Sequence, residues 1–95
     1  MDRKLWNRQA DALLKVILGL ESVREARRFF RDLMTEDELR MIVGRWQVAR
    51  MLHDGATYKE IEAKTGFSSR TVARISRWLQ EGEGGYRHQL HTKRA

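Results

Sequence analysis

Three arginines in the C-terminal half of the chain are spaced for one side of a helix. Arg70, Arg74 and Arg77 stand at positions i, i+4 and i+7, and residues with that spacing are neighbours on a helix surface. No Asp or Glu occurs between Gly66 and Gln80. Because guanidinium groups pair with guanine edges and with phosphates, the pattern indicates contact with nucleic acid. A solvated basic face on an ordinary surface helix is the alternative interpretation.

A glycine separates two short helical segments in this part of the chain. We expect Gly66 to end the first segment, 58–64, in the left-handed conformation that glycine adopts at little cost. We expect Ser68 or Ser69 to cap the second segment, 69–80. Apolar residues occur where two helices that cross at about 90–120° need contacts, and these are Ile61, Phe67, Val72 and Ile75. The pattern predicts a helix-turn-helix over 58–80.

The candidate DNA contacts follow from this motif. Its second helix lies in the major groove, with its N-terminal residues nearest the base edges. Short side chains there let the helix sit deep in the groove, and hydroxyls bind base edges or phosphates. The predicted DNA-binding residues are Thr57, Lys59, Ser68, Ser69, Arg70, Thr71, Ala73, Arg74 and Arg77.

Three capping-box motifs indicate where other helices begin. Ser or Thr precedes Glu by three residues at Ser22–Glu25, Thr35–Glu38 and Thr57–Glu60, a spacing at which hydroxyl and carboxylate bind orphan backbone N–H groups. With the glycine ends, these motifs predict an all-α chain of six helices. The predicted helices are 3–18, 23–33, 36–53, 58–64, 69–80 and a short 86–91, with a flexible glycine-rich joint at 82–85.

The first three helices are apolar on more than one face. A lone surface helix carries one apolar stripe, and a chain of 95 residues buries only about 60% of its surface. We therefore expect a second copy of the chain to cover the extra apolar residues. The interpretation is one domain over 1–95: a helical dimerisation core at 1–54, the helix-turn-helix at 58–80, and a flexible or short-helical segment at 82–95.

Composition narrows the class of protein. The chain carries 19 Lys and Arg against 13 Asp and Glu, a formal charge of +6, which favours polyanionic partners. It has no cysteine, which suits a reducing cytosol. It also lacks a secretory signal and an apolar run of the about 20 residues that a membrane span needs. The three histidines are scattered. We expect a cytoplasmic protein with no membrane contact and no metal site.

About half of the chain, 29–79, resembles the Trp repressor family, and within it the group of Trp-repressor-related proteins called YerC/YecD. The resembling segments are LMTEDE at 33–38, Gly44-Arg45, LHDGAT at 52–57, Gly66 and TVAR at 71–74. The resemblance implies an intertwined all-α homodimer that acts as a transcriptional regulator of the repressor type on double-stranded DNA.

The resemblance also implies an effector pocket. Arg45 and Arg74 correspond to two arginines that sandwich the indole of bound tryptophan in the Trp repressor, and Thr35 to a threonine that supports the site. Ile75 stands where that family has a glycine that leaves room for the ligand. We therefore expect no cofactor, with tryptophan or another small effector as an alternative that Ile75 would obstruct.

Two other functions remain open on the sequence. A basic helix also docks on acidic proteins, so the chain could be a protein-interaction adaptor without DNA binding. A small helical enzyme of the chorismate-mutase type would use arginines such as Arg8 and Arg45, but no acid, base or nucleophile constellation stands out, and we expect no enzyme. The basic band Arg24, Arg27, Arg28 and Arg31 is interpreted as a solvated face or as a phosphate contact.

Overall fold

The computed structural model describes residues 5–92. These residues form six helices and no strand: α1 (Arg8–Leu18), α2 (Val23–Leu33), α3 (Glu36–His53), α4 (Tyr58–Thr65), α5 (Ser69–Glu81) and α6 (Gly85–Thr92). The all-α prediction is confirmed, and five of the six helices begin and end within one residue of their predicted positions. Contacts divide the chain into two compact units, with the boundary between Leu39 and Arg40.

The prediction for the first helix is wrong at its start. The helix was expected from residue 3, but Leu5–Asn7 are not helical and α1 begins at Arg8. The side chain of Asn7 accepts the N–H of Ala10 at 2.9 Å, so Asn7 is an N-cap and supplies the acceptor that the first turn lacks. The remaining part of the predicted extension, 3–4, lies outside the described residues.

The expected capping boxes form, with one difference. Thr35 and Glu38 exchange both hydrogen bonds, at 2.9 and 3.1 Å, and so start α3. The hydroxyl of Ser22 accepts the N–H of Glu25 at 3.0 Å. However, the Glu25 carboxylate accepts from the N–H of Glu21 rather than from that of the cap residue. At α2 the glutamate therefore binds the N–H one residue before the N-cap, and the capping box is incomplete.

The unit that starts at Arg40 contains a closed apolar core. The buried cluster is Val48, Ala49, Ile61, Val72, Ile75 and Leu90. It draws on α3, α4, α5 and α6, so each of the last four helices is anchored by at least one side chain. In the other unit, α1 and α2 have no buried residue.

Candidate nucleic-acid interface

The turn between α4 and α5 has the geometry that the glycine predicts. Gly66 has φ +77°, in the region that L residues with a side chain rarely adopt. The Thr65 hydroxyl donates to the carbonyl of Ile61 at 2.7 Å and accepts the N–H of Phe67 at 3.2 Å. Ser68, not Ser69, then caps α5 by accepting the N–H of Thr71 at 3.2 Å. Local hydrogen bonds thus fix the angle at which α5 leaves α4.

The two faces of α5 have opposite character. Val72 and Ile75 are fully buried and anchor one face to the core. Arg70, Arg74 and Arg77 are exposed and lie on the other side, as their i, i+4, i+7 spacing requires. Among the described residues, one of these arginines forms an ion pair: Arg77 Nε lies 3.5 Å from Glu81 Oε1. The helix therefore presents its guanidinium groups outward while its opposite face is packed in the core.

The other predicted contact residues fall into two groups. Lys59, Ser69 and Ala73 are exposed and lie on the surface of α4 and α5. Thr57 and Ser68 are N-caps, and their hydroxyls already accept backbone N–H groups. The Thr71 hydroxyl, which lies 3.1 Å from that of Ser68, belongs to the same cap. These three hydroxyls therefore have a structural task, whatever else they contact.

The helix-turn-helix is seated on α3 through a glycine. Gly44 is buried in α3, and a methyl carbon placed on it would lie 2.7 Å from Cε1 of Phe67 and closer still to Cζ. Only a residue without a side chain lets the ring approach this closely. Because Phe67 lies between Gly66 and the cap of α5, this contact positions α5 relative to α3.

A second contact between α3 and α5 was missed by the sequence analysis. The guanidinium carbon of Arg45 lies 5.7 Å from the ring centroid of Trp78, within the range of a cation–π interaction. Arg45 Nε is buried and has no hydrogen-bond acceptor among the described residues. Burial raises the pKa of Tyr86, and the positive charge of Arg45 partly opposes that rise. Trp46 stacks on Tyr86 with 6.3 Å between centroids.

These aromatic residues lie at the end of α5. Trp46, Trp78 and Tyr86 line an open cleft of about 710 Å³, together with Glu81 and Glu83. Trp78 follows Arg74 by four residues, so the two side chains are neighbours on α5. Its partner on α3 is 33 positions away in the sequence, so no local pattern indicated the pair.

Comparison with known proteins agrees with this architecture. The family model described as Trp repressor protein matches residues 8–94. The chain belongs to the Trp repressor family. It is 41% identical over 87 residues to YerC of Bacillus subtilis, a protein described as uncharacterized, covering 92% of this chain and 84% of YerC.

Two solved structures have the same fold. A TrpR-like protein from Eubacterium eligens superposes with a TM-score of 0.91 at 36% identity, covering 95% of this chain and 93% of the other. A putative Trp repressor from Staphylococcus aureus gives a TM-score of 0.88 at 40% identity, with 93% and 88% covered. The resemblance stated from the residues, including the YerC group, is confirmed.

The resemblance assigns three residues to a possible effector pocket: Thr35 precedes α3, Arg45 lies within α3, and Arg74 lies on α5. The Thr35 hydroxyl caps α3 by accepting the N–H of Glu38. Arg45 packs on Trp78, and Arg74 is exposed on α5. Ile75 is fully buried in the core, so its branched side chain is directed inward and supports α5.

Residues 5–92 contain neither a helix suited to crossing a membrane nor a cluster of metal ligands. None of the helices there combines the length and the apolar character that a membrane crossing requires. The same residues hold no group of three His, Cys, Asp or Glu side chains placed to bind a metal ion.

Proposed function

We propose that this protein is a cytoplasmic, homodimeric transcriptional regulator of the repressor type that binds double-stranded DNA through α5. The observation that carries the proposal is the arrangement of α5, with Val72 and Ile75 fully buried and three arginines exposed on the opposite face. The helix supplies donors for base edges and phosphates on one face while its other face is packed in the core. Membership in the Trp repressor family supports the same function.

The homodimer is supported by the apolar surface that one chain leaves uncovered. Leu18 is 84% exposed, and Val43 on α3 is 62% exposed. Apolar patches of this kind on a small protein mark an interaction surface, and a second copy with the same surplus would cover them by two-fold symmetry. The large exposed apolar residues of α1 to α3 are Leu13, Leu14, Val16, Leu18, Val23, Leu33, Met41, Ile42 and Val43.

A dimer also sets the spacing of the DNA site. Two reading helices related by a two-fold axis enter successive major grooves about 34 Å apart. The expected operator is therefore a palindrome whose half-sites are one helical turn apart. Selection of bound sequences from a random library tests this, and a single unpaired half-site as the best ligand would contradict the dimeric arrangement.

Binding without an effector is the second part of the proposal. The ring of Trp78 already lies against the Arg45 guanidinium, so the chain supplies its own aromatic partner for that arginine, and buried Ile75 supports α5 from within. One feature favours an effector instead: Arg45 Nε has no hydrogen-bond acceptor among the described residues, and a ligand carboxylate would supply one. We expect the DNA dissociation constant to change by less than about twofold with saturating tryptophan. A tightening of tenfold would refute this part alone.

The first test is the binding of random 40-base-pair DNA, measured by fluorescence anisotropy at several salt concentrations. Arg70→Gln with Arg74→Gln removes two guanidinium groups from the reading face, whereas Arg8→Gln with Lys15→Gln removes the same charge from the exposed surface of α1. We expect the first pair to weaken binding at least tenfold and the second pair to have a small effect. Equal affinity of all three proteins would contradict DNA reading by α5.

The dimer is tested separately by sedimentation equilibrium. Leu18→Gln and Val43→Gln each remove an exposed apolar side chain, so neither disturbs the core of one chain. Burial of a Leu or Val side chain contributes about 1.5–3 kcal/mol. Each variant should therefore raise the dimer dissociation constant at least tenfold. A monomeric wild type, or variants that dimerise as tightly as wild type, would contradict the proposed interface.

A protein-interaction adaptor is the alternative outcome. It predicts no salt-dependent DNA binding by wild type, together with capture of one acidic protein in the absence of DNA. The salt series above distinguishes the two functions directly, because phosphate contacts release counterions and make DNA affinity fall steeply with salt.

A further inference from the structure

Helix α2 carries an arginine stripe that the helix-turn-helix does not use. Its members are Arg24, Arg27, Arg28 and Arg31, and all four are exposed. At about 100° per residue they fall within an arc of about 100° and extend over about 10 Å of helix. The half-buried residues of α2 are Ala26, Phe29 and Phe30, and they lie on the opposite side of the helix, while the exposed Glu25 and Asp32 lie between the two sides. The arginine stripe therefore faces away from the side on which α2 packs.

The stripe is not explained by stability. Like charges three and four residues apart on a helix repel each other, and this stripe contains several such pairs. Arg31 is held by Glu36 at 3.4 Å and by the carbonyl of Met34 at 3.0 Å. Within residues 5–92, no salt bridge links Arg24, Arg27 or Arg28 to a carboxylate. Stability of the helix therefore gives no reason for four arginines on one side.

The chemistry of the stripe suits phosphate groups. All the basic residues of α2 are arginines, whose planar fork binds a phosphate through two parallel N–H groups, whereas a lysine offers a point charge. Arg27, Arg28 and Arg31 line a shallow basin of about 490 Å³, with Asp32 at its edge. B-DNA carries one charge per about 1.7 Å of its axis, so a stripe of about 10 Å faces several phosphates.

We propose that the arginine stripe of α2 is a second DNA-contact surface, which binds the phosphate backbone outside the helix-turn-helix. This inference rests on the proposed function, since it assigns a further surface for the same ligand. Phosphate contacts position a protein on the duplex without reading sequence. The stripe therefore contributes equally to binding of an operator and of random DNA, and the choice of sequence stays with α5.

The test measures how the logarithm of affinity changes with the logarithm of salt concentration for four proteins: wild type, Arg27→Gln with Arg28→Gln, Arg8→Gln with Lys15→Gln, and Arg70→Gln with Arg74→Gln. Each phosphate contact contributes about 0.9 to the slope. Loss of two arginines per protomer should lower the slope of a dimer by about 2–4. The Arg8 and Lys15 pair, with the same charge change on α1, should lower it by less than about 1.

A second readout separates positioning from reading. The Arg27 and Arg28 pair should weaken binding to a selected operator and to random DNA by the same factor, so the ratio of the two affinities stays at its wild-type value. The Arg70 and Arg74 pair should lower that ratio. Circular dichroism confirms that each variant remains helical.

The outcomes distinguish this inference from the proposed function. If the Arg27 and Arg28 pair changes the slope no more than the α1 control pair does, the stripe is not a DNA contact, whether it serves an acidic protein or only solvent. If the Arg70 and Arg74 pair also binds DNA like wild type, the proposed function itself fails. If only the Arg70 and Arg74 pair loses affinity, the proposed function stands and the further inference is overturned.

Discussion

Substitution of Gly44 tests how the helix-turn-helix is held on α3. Alanine at a helix interior is favoured over glycine by about 1 kcal/mol, so without tertiary contacts Gly44→Ala would stabilise the protein. Here the new methyl carbon would lie 2.7 Å from Cε1 of Phe67, well inside ordinary contact distance. The ring must move by about 1 Å, and overpacking of this kind costs about 1–3 kcal/mol. We expect Gly44→Ala to lower the free energy of unfolding by about 0–2 kcal/mol. It should also weaken DNA binding, because Phe67 adjoins the cap of α5.

A double-mutant cycle isolates this contact. Phe67→Leu removes the ring atoms that the methyl group meets, so in that background Gly44→Ala should stabilise the protein by up to about 1 kcal/mol. The coupling between the two positions should then be about 1–3 kcal/mol. Urea unfolding at one fixed protein concentration measures all four proteins, which matters for a chain that associates. An equal effect of Gly44→Ala in both backgrounds would refute the reasoning.

Three further perturbations address individual contacts. Arg45→Met should raise the pKa of Tyr86 further, because it removes the charge that opposes the effect of burial; alkaline absorbance titration measures this in a background whose other tyrosine is phenylalanine. The Thr57 N–H donates to Glu60 and lowers the pKa of that carboxyl below 4.5. The hydrogen bond between Thr57 and the ionised Glu60 therefore stabilises the fold above pH 4.5, and this contribution is lost as pH falls through the lowered pKa. The difference in unfolding free energy between wild type and Glu60→Gln should shrink in acid. Gly66→Ala should lower the free energy of unfolding by about 1–2 kcal/mol, because alanine is strained at φ +77°. Gly66→Asn should lower it less, and thermal unfolding measures both.

The helices could be predicted from the sequence because their ends are determined locally. Thr35 and Thr57 each bind a glutamate three residues away, and Gly66 ends α4 through its own backbone conformation. Such contacts depend on short spacings that are visible in a single chain. The start of α1 was predicted wrongly because its cap lacks such a motif. Asn7 is as good a cap as serine, but no glutamate follows it three residues later.

The support of the candidate site could not be predicted in this way. The contact of Gly44 with Phe67 and that of Arg45 with Trp78 both join α3 to the α4–α5 region. Each depends on which face of α3 receives the helix-turn-helix, and periodicity cannot decide this because α3 has apolar residues all round. The outward arginines of α5 were predictable, since they lie opposite Val72 and Ile75 on the same helix.

The two units differ in how their apolar residues are buried. Under the proposed function, dimerisation and DNA binding therefore depend on different units. The unit that contains α5 buries Val48, Ile61 and Val72 completely, so each chain completes the core that supports its own α5. Helices α1 and α2 have no buried residue, and under the proposed dimer they depend on a second copy. A variant such as Leu18→Gln should therefore keep a folded reading unit and lose the paired half-site. Its affinity for a two-site operator should fall steeply, while its affinity for a single half-site should match that of wild type.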